Sequence, residues 1–380
     1  MTLSGFIVRN ALRNKRRFLL TLFSVAMSLF LLTVLQVILR GLTDPAATDE
    51  SALRLVVRHK VSLANMLFAK YKARLDRMPG VRASTKLLWF GGIYQDEKNF
   101  FPQFACDPDT LFKVMTDAQI EAEPLQRFIK QRNACVVGRK TMERFGWRLG
   151  QKITLLGAMW PCNPELEIAG AFAGGVDESA LYFHHDYFDE LLDAPGVTGL
   201  FWVRAETPQS VPGLIERIDA EFANSDAETI TETERAFQIG FVSLLGNLKL
   251  LIGSISTVVV FTLVLVTAGT MSMAVRERVK EIAILKALGF GTGRVFGLIL
   301  AESFGLAMSG GVLGCAGAWA ALHAVDIYKV SRGLFVNFHL TSQILARALA
   351  VAASLGIISC ILPAWSGVRR SVVDGLRTVD

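Results

Sequence analysis

The sequence predicts a membrane α-helical protein with four transmembrane helices, both termini in the cytoplasm, and a large extracytoplasmic α+β domain between helices 1 and 2. Three observations predict it. Four apolar runs are long enough to cross a bilayer. Lys and Arg collect on one side of those runs. The block between the first and second runs is acidic and mixes strand and helix patterns. Apolar residues make up 52% of the 380, with a mean hydropathy of +0.40. That balance is too apolar for an ordinary soluble chain and too polar for one wholly embedded.

A run of about 18 or more apolar residues reads as a transmembrane helix. Phe18–Leu39 holds no charge, and Leu250–Val275 holds none. Val295–Leu322 holds only Glu302, and Ile344–Val368 only Arg347. The first run is longer than a signal-peptide core and lacks a small-residue cleavage site, so it reads as a retained anchor. Before it, Leu3, Phe6, Ile7, Ala11 and Leu12 alternate with Arg9, Asn10, Arg13 and Asn14. That spacing suits an interfacial helix; a loosely ordered basic leader is the other reading.

Orientation follows from the basic residues that flank the runs. Arg9, Arg13, Lys15, Arg16 and Arg17 precede the first. Arg276, Arg278, Lys280, Lys286 and Arg294 separate the second and third, and Arg369, Arg370 and Arg377 follow the fourth. The short loop between the third and fourth has only Lys329 and Arg332. The N-terminus, the 276–294 loop and the C-terminus are therefore expected in the cytoplasm. Residues 41–248 hold 22 Lys+Arg and 28 Asp+Glu, so the basic excess lies in the rest of the chain. It marks topology rather than nucleic-acid binding.

The expected organisation is an interfacial segment at 1–17, spans at 18–39, 295–322 and 344–368, and an extracytoplasmic domain at 40–233. A stalk plus second span covers 234–275, a cytoplasmic coupling loop 276–294, an outer loop 323–343 and a tail 369–380. The 234–275 run would reach about 63 Å if one helix at ~1.5 Å per residue, with Gly240, Gly246 and Gly253 as places to kink. Within the outer block, strands are expected at Arg54–His59, Val81–Tyr94, Asn99–Phe104, Ala134–Val137, Ala180–Phe183 and Leu200–Arg204. Gln151–Leu156 and Leu166–Phe172 read as a strand pair. Helices are expected at Asn65–Arg77, Arg139–Phe145, His185–Leu192 and Val211–Phe222. Strands and helices without a βαβ rhythm point to α+β, arranged as two subdomains.

Little in the chain points to catalysis. G-x-x-x-x-G-K-[ST] is absent, so the chain is not expected to hydrolyse ATP. The glycines of Gly289–Gly293 read as turn residues. His184-His185-Asp186 offers no convergent metal set, because neighbours on a strand face opposite ways. Cys106, Cys135 and Cys162 are an odd number outside the spans; buried free thiols fit better than a disulfide framework. Glu302 is a charge within a span, open to a functional role or to hydrogen bonding between helices. Gly310 and Gly314 form a G-x-x-x-G face, suited either to self-association or to packing within the chain.

The loop Val275–Gly289 carries the strongest signal. Val275, Val279, Ile282 and Ala283 share one helical face, while Arg276, Glu277, Lys280 and Glu281 project elsewhere. Ile284, Leu285 and Leu288 spread apolar surface round a second side. A covering protein would explain that surface; an ordinary loop with a basic flank is the alternative. Gly289 is a helix stop.

This loop resembles the cytoplasmic loop of FtsX-like ABC permeases, whose pattern runs roughly R-E-R-x-x-E-I-A-I-L-R-A-L-G. Arg276, Glu277, Arg278, Glu281, Ile282, Ala283, Ile284, Leu285, Lys286, Ala287, Leu288 and Gly289 match it, with Lys286 in place of Arg. Leu300-Ala301-Glu302-Ser303, Asn10–Leu20, Pro363-Ala364 and Asp374–Arg377 resemble other parts of the family. Val372 and Gly375 depart from its tail, where proline and alanine are common. Val137-Gly138-Arg139-Lys140 through Gly150 and Ile153 resembles a MacB-like periplasmic core domain.

The resemblance implies a plasma-membrane permease subunit of the mechanotransmission type, working as a homo- or heterodimer. Separate ABC ATPase subunits would bind ATP and Mg²⁺, leaving no cofactor in this chain. Arg276, Glu277, Arg278, Glu281, Ile282, Lys286 and Gly289 would form the ATPase-coupling site, with Glu302, Gly310 and Gly314 serving packing inside the membrane. Charge reversal at Arg278 and Glu281 is expected to uncouple the machine. The expected work is efflux of a hydrophobic or amphipathic substrate from the periplasm or outer leaflet, with a periplasmic adaptor as a further partner. Activation of a cell-wall hydrolase and lipoprotein release are the alternatives.

Overall fold

The structure, a computed structural model, describes residues 15–43, 50–175, 177–244, 247–324 and 340–369. Most of the expected interfacial segment, most of the 323–343 loop and the tail after Arg369 lie outside the described residues. The chain forms two compact units. The membrane unit begins with α1 (Lys15–Thr43). The second unit is inserted between this helix and the remaining long ones.

The inserted unit opens with β1 (Arg54–His59), β2 (Leu67–Phe68), α2 (Tyr71–Leu75), β3 (Val81–Trp89) and β4 (Gln103–Cys106). It continues through α3 (Pro108–Val114), β5 (Ala118–Gln119), α4 (Ala122–Lys130), β6 (Ala134–Gly138), α5 (Arg139–Phe145), β7 (Lys152–Thr154) and β8 (Glu165–Gly174). It ends with β9 (Leu181–His184), α6 (His185–Leu191), β10 (Val197–Thr198), β11 (Leu200–Ala205), α7 (Val211–Glu221), β12 (Thr229–Thr233) and α8 (Glu234–Leu244). One mixed sheet runs β12-β1-β11-β3-β4-β9-β6-β8-β5, with β7 on β8. The two subdomains expected from the sequence are thus joined by continuous strand pairing.

Strand alternation divides the apolar side chains between the faces. Cys135 and Val137 of β6 join Leu181, Phe183, Phe90 and Phe188 in one core. Ala134 and Val136 join Tyr182, Phe128 and Phe172 in another. Leu55 and Val57 of β1 pack with Phe201, Val203, Leu214 and Ile218 in a third. The expected helix at Asn65–Arg77 shrinks to α2, because Leu67–Phe68 pairs with Val197–Thr198 as a strand. That pairing is a tertiary contact that overrides local propensity.

The membrane unit resumes with α9 (Leu248–Glu277), then α10 (Val279–Ala287), α11 (Thr292–Ala324) and α12 (Ser342–Arg369). Four segments are long and apolar enough to cross a membrane: Phe18–Gly41, Lys249–Glu277, Thr292–Ala324 and Ser342–Arg369. The 234–275 run is not one helix. It divides into α8 and α9, and Asn247 lies outside helical geometry at φ −81°, ψ 53°. Asn247 is a weak helix former at the division.

Small residues set how closely these helices approach. A Cβ added at Gly314 would fall 2.5 Å from Ala26 O and 2.9 Å from Phe30 N; one at Gly310 would fall 2.6 Å from Val25 Cγ1. The G-x-x-x-G face therefore seats α1 of the same chain. Gly311 meets Ala352, and Gly356 meets Ala307 and Phe304, so α11 also packs directly on α12. Pro363 lies inside α12, where neighbouring helices permit it.

Candidate coupling site between the second and third spans

The loop is built from a helix break, a short helix and a stop. Arg278 separates α9 from α10 with φ −103° and ψ 11°. Gly289, at φ +89°, ends the turn; its N–H donates to Lys286 O and that of Phe290 to Leu285 O. Only glycine adopts that φ without steric cost. Gly289 and Gly291 thus sit in the turn, whereas Gly293, also expected there, lies in the first turn of α11, which starts at Thr292.

The inner face of α10 is committed to its own chain. Ile282 packs with Val275, Val295 and Val368, and Leu285 joins that cluster. Val279 and Ala283 are buried beside them. Lys286 Nζ donates to Val368 O over 2.7 Å, serving a carbonyl in the last turn of α12 that has no intrahelical partner. Gly367 completes the approach, since a Cβ there would lie 2.3 Å from Val275 Cγ1.

Arg278 turns inward as well. Its guanidinium donates to Glu302 Oε2 of α11, and the two side chains are 15% and 14% exposed. A cavity of about 50 Å³ beside the pair is lined by Val275, Arg278, Glu281, Leu298 and Glu302. A second, of about 20 Å³, reaches from Glu302 to Phe18 and Thr21 of α1.

The outer face carries an exposed apolar patch with charged residues beside it. Ile284 is 50% exposed and Leu288 72%, with Phe290 also exposed. Arg276, Glu277, Lys280 and Gly289 lie at the surface, and Glu281 is half-buried. The expected site therefore splits. Arg278, Ile282 and Lys286 serve the chain's own packing; Arg276, Glu277 and Gly289 stay outside. Leu285, expected on the second apolar side, packs inward. Phe290 was missed by the helical pattern because it follows the stop glycine; an aromatic residue just past such a stop was its signal.

His184 and His185 are buried core residues, each anchored through Nε2 to a backbone carbonyl. His184 Nε2 bonds to Phe128 O over 2.5 Å and His185 Nε2 to Val197 O over 2.9 Å. Burial lowers both pKa values below the ordinary 6.5. Cys106, Cys135 and Cys162 are free thiols, and burial raises the pKa of each.

Four helices long and apolar enough to cross a membrane, with a large α/β domain inserted between the first and second, fit a multi-pass protein of the inner membrane. Residues 253–372 match the FtsX-like permease C-terminal family. Over 302 residues the chain is 22% identical to an uncharacterized ABC transporter permease of Methanocaldococcus jannaschii, covering 76% of this chain and 74% of that one. The periplasmic region of MacB from Actinobacillus actinomycetemcomitans resembles 53% of this chain over 94% of its own, at 10% identity and TM-score 0.37. The extracellular domain of the noncanonic ABC-type transporter YknZ from Gram-positive bacteria resembles 47% over 99%, at 13% and TM-score 0.36. The chain thus carries an FtsX-like permease C-terminal domain at residues 253–372 and is similar over most of its length to an ABC transporter permease.

Proposed function

We propose that this chain is the permease subunit of a mechanotransmission ABC transporter. It couples ATP hydrolysis by a separate ATPase subunit to extrusion of a hydrophobic or amphipathic substrate from the periplasm or outer leaflet. Both termini and α10 lie in the cytoplasm, as the basic flanks support, and the inserted domain lies outside. The subunit works as a pair with a second permease chain.

One observation carries the reading: α10 is fixed on its inner side and carries an exposed apolar patch on its outer side. Ile282 and Lys286 hold it to α12, while Ile284 and Leu288 face outward. A short helix so held passes a push to the spans instead of absorbing it. Its exposed apolar patch needs a cover, and an ATPase subunit is the cover that uses both properties.

The test is co-purification from membranes followed by ATP turnover in lipid nanodiscs. Ile284→Asp with Leu288→Asp is expected to release the ATPase while leaving the chain's insertion and thermal midpoint unchanged. Full retention of the ATPase by that variant would remove the docking reading.

A further inference from the structure

We infer that Arg278 and Glu302 form the internal link that delivers movement of α10 to the third span. The inference rests on the coupling reading above and deepens it: Arg278 acts on its own chain, and docking belongs to the apolar patch.

Arg278 stands at the break between α9 and α10, so a tilt of α10 against α9 turns about this residue. Its side chain is mostly buried and paired with Glu302. Glu302 lies ten residues beyond Thr292, the first residue of α11, or about 15 Å along the helix at ~1.5 Å per residue. The pair therefore ties the joint of the loop directly to α11, nearly three turns beyond that helix's start.

Stability alone does not account for a charged pair there. Two desolvated charges hold helices together less economically than apolar side chains of similar volume. An acid within a span points first to function. The surroundings fit a moving link. The cavities of about 50 and 20 Å³ both border Glu302, leaving space for the pair to shift. Beyond the pair, α11 touches α1 through Gly310 and Gly314, and α12 through Gly311. Movement delivered to α11 reaches both neighbours.

Arg278 and Glu302 are thus positioning residues. The experiment uses the full chain in lipid nanodiscs, alone and assembled with its ATPase. In the chain alone, Glu302→Gln is expected to raise amide hydrogen exchange in 279–287 and 298–306 together. Arg278→Lys, which keeps the charge, is expected to stay near wild type. In the assembly, Glu302→Gln is expected to keep the bound ATPase and lower ATP turnover about tenfold, an ordinary size for coupling between sites. Unchanged exchange and turnover overturn the link. Loss of the ATPase from Glu302→Gln also overturns it, by assigning the pair to docking. Should Glu302→Gln fail to insert, Glu302→Asp reads the same quantities with the charge kept and the reach shortened. If the wild-type chain recruits no ATPase, the functional reading falls, and exchange in the chain alone decides the link.

Discussion

Arg54 and Glu234 close a buried ion pair where the chain enters and leaves the inserted unit. Arg54 Nε donates to Glu234 Oε2 over 2.7 Å, with the side chains 1% and 4% exposed. Arg54 opens β1, the first strand after α1, and Glu234 opens α8, which precedes α9. The strand that starts at Arg54 pairs with the strand that ends just before Glu234, Leu55 opposite Thr233. The same guanidinium gives Nη1 and Nη2 to both oxygens of Asp117, over 2.5 and 3.0 Å. One arginine thus ties three segments that are distant in sequence.

Breaking this network by removing one partner leaves uncompensated buried charge. Arg54→Met is expected to cost about 3–5 kcal/mol, read as a lower thermal midpoint of the full chain in detergent. Adding Asp117→Leu and Glu234→Leu is expected to recover most of the loss, because an apolar triad of similar volume avoids desolvating charge. A triple variant no more stable than Arg54→Met would show that geometry, not charge, sets the cost.

Two glutamates near this region respond to acid in opposite senses. Hydrogen bonds from Arg204 and Thr116 hold the Glu50 carboxyl below the ordinary 4.5. Its contribution is complete above 4.5 and is lost as pH falls through the lower folded value. Burial raises Glu234 above 4.5 despite Arg54. Between 4.5 and that raised value the folded state binds the extra proton, so acidification there favours folding. In a series of thermal midpoints against pH, Glu50→Gln is expected to flatten the limb below 4.5. Glu234→Gln is expected to flatten the part just above it. The reverse assignment would contradict both causes.

The glycines of α11 differ sharply in what they admit. Gly314→Val drives a side chain into Ala26 and Phe30 backbone, and overpacking of this kind costs about 1–3 kcal/mol. Gly305→Ala meets nothing within 4 Å and is expected to be neutral or mildly stabilising in a helix. Equal thermal midpoints for the two variants would deny that α1 rests on Gly314.

The spans and the helix stop were legible because each has a local cause. A bilayer requires a long apolar run, and a left-handed turn selects glycine. The Arg278–Glu302 pair was not legible, since helix-face rules reach one turn and these residues are 24 apart. The β12 sequence Thr229–Thr233 reads as polar and becomes a strand only against β1. In α4, Pro124 disguised a helix, although it lies in the first turn, where its missing N–H costs nothing. The division at Asn247 was foreshadowed in the sequence only by the glycines of the 234–275 run, as places to kink rather than as a break.

Gly289 offers the last separation of roles, between shape and contact. Its φ of +89° lies where a side chain is strained, yet a Cβ there would meet nothing within 4 Å. Gly289→Ala therefore adds no clash and charges only the backbone, about 1–2 kcal/mol. That strain is relieved most cheaply by lengthening or reorienting the end of α10, which moves Leu288 and Phe290 while leaving Ile282 packed. The expected outcome is a modest fall in thermal midpoint with a larger fall in ATPase retention. Leu288→Ala is expected to reduce retention with no change in midpoint. Should Gly289→Ala lower the midpoint and leave retention intact, the turn serves folding alone and the outer face of α10 does not depend on it.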